Sequence, residues 1–147
     1  MTNRIAAPRT GLALGALLLA MAIGACSNSP TTPTPPVSTA PTLSQIQTQI
    51  FNPGCESCHT DVGRTPAGAT NLKAGASFAA LVNVPSTGKP GAIRVIPGNP
   101  SGSYLIHKIE GAADIVGTRM PRTGPPFLTD AQVKMIRDWI AAGAPNS

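Results

Sequence analysis

The chain has 147 residues, a formal net charge of +5 at pH 7 and only 3% aromatic residues. Two of its eleven basic residues, Arg4 and Arg9, lie in an N-terminal leader, and beyond it nine basic residues stand against six acidic ones. No basic stripe interleaved with aromatics is left, so the electrostatic footprint of a nucleic-acid binder is absent.

Residues 1–25 read as an export signal, with Arg4 and Arg9 as the positive n-region and an apolar stretch from Gly11 to Gly24 rich in Leu and Ala. That stretch is shorter than the roughly 20 residues needed to span a bilayer. It ends at Ile23-Gly24-Ala25-Cys26, which resembles a bacterial lipobox. The resemblance implies cleavage ahead of Cys26 and a lipid on its thiol, against the alternative of an ordinary signal with an unmodified cysteine. Ser27 in place of Asp favours the outer membrane, by analogy with Gram-negative lipoproteins. Residues 26–42 hold the anchor cysteine and a run of almost pure Ser, Thr and Pro. Such a run cannot bury enough apolar surface to offset chain entropy, so an extended tether is expected. At about 3.1 Å per residue its sixteen residues from Ser27 to Thr42 reach roughly 50 Å.

The folded part is expected at 43–147. Leu43, Ile46 and Ile50 recur at helical spacing, with Ser44 and Gln47 as a capping box and Asn52-Pro53-Gly54 as the stop. Immediately afterwards comes Cys55-Glu56-Ser57-Cys58-His59, a C-x-x-C-H run. Two thiols at this spacing can each add to one vinyl group of a haem, and the adjacent imidazole can reach the iron from below, so the spacing specifies covalent haem attachment. A structural zinc site needs four N or S ligands, and outside the run only Cys26 and His107 are on offer. A thioredoxin-like pair would sit in a βαβ unit, whereas the flanks here are a short amphipathic segment and a Gly/Pro-rich loop.

Further along, Ser77–Val82 and Ser103–Ile109 read as short helices separated by Pro- and Gly-rich loops such as Pro97-Gly98-Asn99-Pro100. Near the end, Thr129 and Gln132 form a second capping box, and Leu128 and Val133 are spaced for a hydrophobic staple. Val133, Ile136 and Ile140 form a stripe beside Trp139, with Gly143 as the stop. Nothing reads as an alternating sheet. Five aromatics are few for about a hundred residues, so the expectation is that haem sits at the centre of the core and that the apo chain folds poorly.

A helix leading into C-x-x-C-H, a loop-rich middle, a methionine and a C-terminal helix bearing an aromatic resembles the class I cytochromes c. The runs Ile96–Pro100, Arg119-Met120-Pro121 and Ile136–Ile140 are also similar to cytochrome c domains of planctomycete and myxobacterial surface proteins. The resemblance implies an all-α fold of short helices and long loops around one haem c. It also implies that Cys55 and Cys58 carry the thioethers, that His59 is the proximal iron ligand and that Met120 is the distal one. From the residues alone Met120 is one of three candidates. Pro121 biases its backbone toward an extended loop, His107 would give bis-histidine ligation, and Met135 lies within the last helix off its stripe. Arg94, Arg119 and Arg122 are candidates to pair with haem propionates.

Two strong protein ligands make a haem an electron carrier, and an open position makes it a binder of gases or a peroxide reductant. The expectation is therefore a lipid-anchored monohaem cytochrome, not an enzyme, passing single electrons among redox partner proteins of the cell envelope. The alternatives are a pentacoordinate haem protein and an envelope interaction domain with a structural haem. Attachment of c-type haem outside the cytoplasm, implied by the resemblance, agrees with the export signal.

Overall fold

The computed structural model describes residues 39–60 and 69–147. The leader, Cys26 and the tether up to residue 38 lie outside the described residues. Among the described residues there are four helical segments and two isolated β-bridges, with no strand. No helix among them is long and apolar enough to cross a membrane.

Helix α1 spans 43–54 in three consecutive pieces: α-helical Leu43–Ile46, a π-turn at Gln47–Phe51, and a final α turn Asn52–Gly54. Its capping box is Thr42 with Gln45, not Ser44 with Gln47. Thr42 Oγ1 accepts from Gln45 N at 3.1 Å, and Gln45 Oε1 accepts from Thr42 N at 2.9 Å. Both pairs satisfy the S/T-x-x-Q spacing, and burial decides between them. Starting at Thr42 brings Leu43 into the first turn, where it is buried, and leaves Gln47 on the inward face with Ile46 and Ile50. Thr42 therefore belongs to the folded part rather than to the tether.

The short helices follow as Ser77–Leu81 (α2) and Tyr104–Glu110 (α3). Between them the chain folds back through the bridges Val82 to Val95 and Pro85 to Ile93. Ser103, fully buried, accepts from Ile96 N at 2.9 Å and donates to Asn99 O at 2.8 Å, which ties the Pro-Gly loop to the start of α3. Gly111 closes α3 with φ +75°, and a Cβ there would come within 2.8 Å of Arg119 Cδ. Both the left-handed backbone and the close approach require glycine at that position.

Helix α4, Asp130–Ala141, begins at the expected box: Gln132 N donates to Thr129 Oγ1 at 3.3 Å. It ends as a Schellman motif. Gly143 N donates to Ile140 O at 3.0 Å and Ala144 N to Trp139 O at 2.9 Å, with Gly143 at φ +95°. Helices α1 and α3 both pack on α4. The C-terminus returns to α1, where Ser44 N donates to Ser147 O at 2.9 Å.

The apolar cluster joins Leu43, Ile46, Ile50 and Phe51 of α1 to Ile136, Trp139 and Ile140 of α4, with Ile106 and Ile109 of α3. Trp139 and Phe51 are the largest fully buried side chains of this cluster. Cys55 and Met120 pack at the margin of this cluster, half-buried. A stack of β-branched and aromatic side chains on α1 and α4 supplies enough apolar surface to meet across that interface. The C-x-x-C-H run comes after α1 has left it.

Candidate functional site

The end of α1 forms the site. Cys55, the C-cap residue, leaves helical geometry at φ −127° and ψ −40°. Phe51 O accepts from Cys55 N at 2.9 Å and Glu56 N at 2.8 Å, and Cys55 O then accepts from Cys58 N at 3.2 Å and His59 N at 3.0 Å. Two stacked turns, each closed by one shared carbonyl, bring both thiols and the imidazole into five consecutive residues. Cys55 is half-buried against the apolar cluster and its Sγ lies 3.7 Å from Ile50 O, while Cys58 is exposed. The two sulfurs are not joined to each other. His59 is half-buried with Nδ1 turned from solvent, and its carbonyl accepts from Leu72 N at 2.9 Å.

Electrostatics separates the possible uses of this pair. Burial, and secondarily the neighbouring Cys58, pushes the Cys55 thiol up to about 11. Its position at a helix C-terminus adds to the effect, because the negative end of the helix dipole disfavours a thiolate. A dithiol exchange centre needs an accessible thiolate, which proteins favour at helix N-termini and beside cations. Cys55 has the opposite environment. Among the described residues no group of three or more His, Cys, Asp or Glu side chains is gathered that could hold a metal ion. Two separate thiols and an adjacent imidazole in the C-x-x-C-H order are the groups that covalent haem attachment uses.

Met120 lies on the strap 111–120 that returns from α3. Its N–H donates to Lys108 O at 2.8 Å, and its side chain packs on the apolar cluster. A cavity of about 190 Å³ is lined by Ile50, Pro53 and Gly54 from α1 and by Pro121, Phe127 and Leu128. The residue before Cys55 and the residue after Met120 therefore share one cavity wall. Met135 also packs on the cluster from α4.

His107 is engaged elsewhere. Its Nδ1 meets Asp114 Oδ1 at 2.8 Å and its Nε2 meets Ser101 O at 2.7 Å, so both ring nitrogens face acceptors and the imidazolium is favoured. Lys89 also pairs with Asp114. The Ser101 carbonyl, followed by Asp114, raises the His107 pKa above its ordinary 6.5, while Lys89 and His107 lower that of Asp114 below 3.8. A raised imidazole stabilises the fold fully below pH 6.5 and loses that contribution as pH climbs through the folded value. The depressed carboxylate contributes above 3.8 and loses its share as pH falls through its folded value. Thermal unfolding followed from pH 5 to 9 should therefore give a melting temperature that declines above about 6.5, and His107→Gln should flatten that limb. A limb of unchanged slope in the variant would dismiss the clasp.

The three arginines are placed differently. Arg94 Nη1 donates to Ala80 O at 2.8 Å, and Arg119 Nε donates to Ile109 O at 2.8 Å with its guanidinium 4.2 Å over the Phe127 ring. Arg122 is exposed. A larger depression of about 400 Å³, bounded by Glu110, Arg119, Lys134 and Arg137, lies on the charged face of α3 and α4 and includes none of the C-x-x-C-H residues. Its walls are largely self-neutralised, since Arg137 grips Glu110 through two bonds of 2.7 and 2.8 Å.

Sequence reasoning read Gln47 as a capping partner of Ser44 and missed its place in the interior. It is a buried amide on the inward face of α1, bonded to Leu72 O and Ser77 Oγ. Its helical spacing with Leu43, Ile46 and Ile50 was the available signal. Comparison of the chain with family models, with curated proteins and with solved structures returns no match.

Proposed function

We propose that this chain is a monohaem c-type cytochrome of the all-α, class I-like kind that carries single electrons at the cell envelope, held to a membrane by lipid on Cys26. The observation that carries the proposal is the Cys55–His59 turn, where two unbridged thiols and an imidazole follow one another from the end of α1 in the C-x-x-C-H order. Cys55 and Cys58 would hold the haem covalently and His59 would ligate its iron, with Met120 as the second protein ligand. Bound there, haem supplies a one-electron ferric/ferrous couple. Nothing in this role makes or breaks a bond of a substrate, and the partners are other redox proteins.

Met120 is favoured over His107 because both nitrogens of the histidine are already engaged by Ser101 and Asp114. The strap that carries Met120, by contrast, is anchored through its backbone and leaves the thioether out of those bonds. Met and His together raise the reduction potential relative to two histidines, as suits a carrier feeding electrons to an oxidising partner.

Mass spectrometry of the exported, matured protein tests the proposal. The expected mass is that of the chain from Cys26 plus one haem and a lipid, and the haem should resist extraction by acidified solvent. Cys55→Ala together with Cys58→Ala should abolish covalent haem. A colourless wild-type protein whose two thiols both alkylate would end this interpretation.

A further inference from the structure

We infer that Gln47 is a positioning residue for the proximal ligand, holding through Leu72 the backbone of His59. This rests on the proposal that His59 ligates a haem iron. Gln47 is buried on α1 where the helix widens into its π-turn, and such turns recur at functional sites. Its amide is used on both sides. Nε2 donates to Leu72 O at 2.8 Å, and Oε1 accepts from Ser77 Oγ at 2.8 Å. A carbonyl can only accept, so Leu72 O by itself gives the amide one orientation.

Leu72 is itself buried, and its N–H donates to His59 O at 2.9 Å. One residue thus takes a bond from Gln47 at its carbonyl and gives one to His59 at its nitrogen. The path from the inward face of α1 to the His59 backbone is a side-chain amide, one residue and one carbonyl. With the His59 main chain tied at both its N–H and its carbonyl, the point from which its ring projects is fixed.

The test compares Gln47→Met, which keeps the length of the side chain and removes the amide, with Ser77→Ala, which removes one bond to the same amide and leaves Leu72 untouched. Two quantities are read on the haem-bearing protein: hydrogen exchange at the Leu72 amide, corrected for global stability, and the paramagnetically shifted resonances of the His59 ring in the oxidised state. Gln47→Met is expected to speed Leu72 exchange about tenfold beyond the change in global stability and to move the His59 resonances, whereas Ser77→Ala should do neither. Should Gln47→Met fail to accumulate, Gln47→Asn, which draws the amide back by one carbon, is expected to move both signals the same way. A Gln47 variant that binds haem, with Leu72 exchange and His59 resonances both as in the wild type, overturns the inference alone. A wild-type protein without haem overturns the functional proposal instead, and the inference with it.

Discussion

Trp139→Ala should destabilise the fold by about 3–5 kcal/mol, the range for truncating a fully buried large aromatic. Trp139 has no exposed surface and stands on α4 where α1 and α3 both pack. One further feature depends on its side chain: Nε1 donates to Pro145 O at 2.9 Å. With a domain total of roughly 5–15 kcal/mol, such a loss takes a large share of what holds it folded. Urea unfolding of the haem-bearing protein measures it as a lower midpoint at unchanged slope. Trp139→Phe separates the contributions, because it keeps most of the apolar volume and leaves Pro145 O without its donor. It should cost about 1–2 kcal/mol for the bond, plus a smaller packing loss. A loss below about 1 kcal/mol for Trp139→Ala would contradict a core centred on this side chain.

Pattern alone located the helices that run through apolar stripes and end at strong signals. The Thr129 and Gln132 box and the Gly143 stop are local devices whose partners lie within a few residues, so the sequence window contains the whole interaction. The first capping box misled because Thr42-x-x-Gln45 and Ser44-x-x-Gln47 are both well formed, and only the burial of Leu43 selects the former. The same misplaced box hid the role of Gln47, which was given to Ser44 as a capping partner because the groups that bond its amide lie 25 and 30 residues away. The clasp of His107 to Asp114 was equally out of sight, because a histidine beside a lysine on a short helix says nothing of the loop that folds back on it. The C-x-x-C-H run is legible by spacing, but spacing could not show that Cys55 caps a helix C-terminus with its thiol covered. That placement sets Cys55 apart from the thiols of a dithiol exchange centre.

Met120→Ala should open the iron of the haem-bearing protein without dismantling the strap that presents it. The strap is held by bonds that do not involve the thioether. Tyr104 Oη accepts from Val116 N at 2.9 Å, and Lys108 Nζ donates to Val116 O at 2.9 Å and Thr118 O at 2.6 Å. Arg119 Nε reaches Ile109 O, and Met120 N reaches Lys108 O. Truncation therefore removes the sulfur and about 1–2 kcal/mol of half-buried packing while the backbone stays in place. The reduced variant should bind carbon monoxide rapidly where the wild type does not. Its potential should fall by on the order of 0.1–0.3 V, a fraction of the roughly 0.8 V over which axial ligands tune haem. His107→Ala is the matching control. It breaks the clasp to Ser101 and Asp114 and should leave the absorption spectrum and carbon monoxide response unchanged. If instead Met120→Ala keeps the wild-type spectrum and His107→Ala opens the iron, the distal ligand is the histidine and the bonds to Ser101 and Asp114 must give way when haem is attached. A wild-type protein that already binds carbon monoxide rapidly would point to a pentacoordinate iron, and to gas binding or peroxide reduction in place of electron carriage.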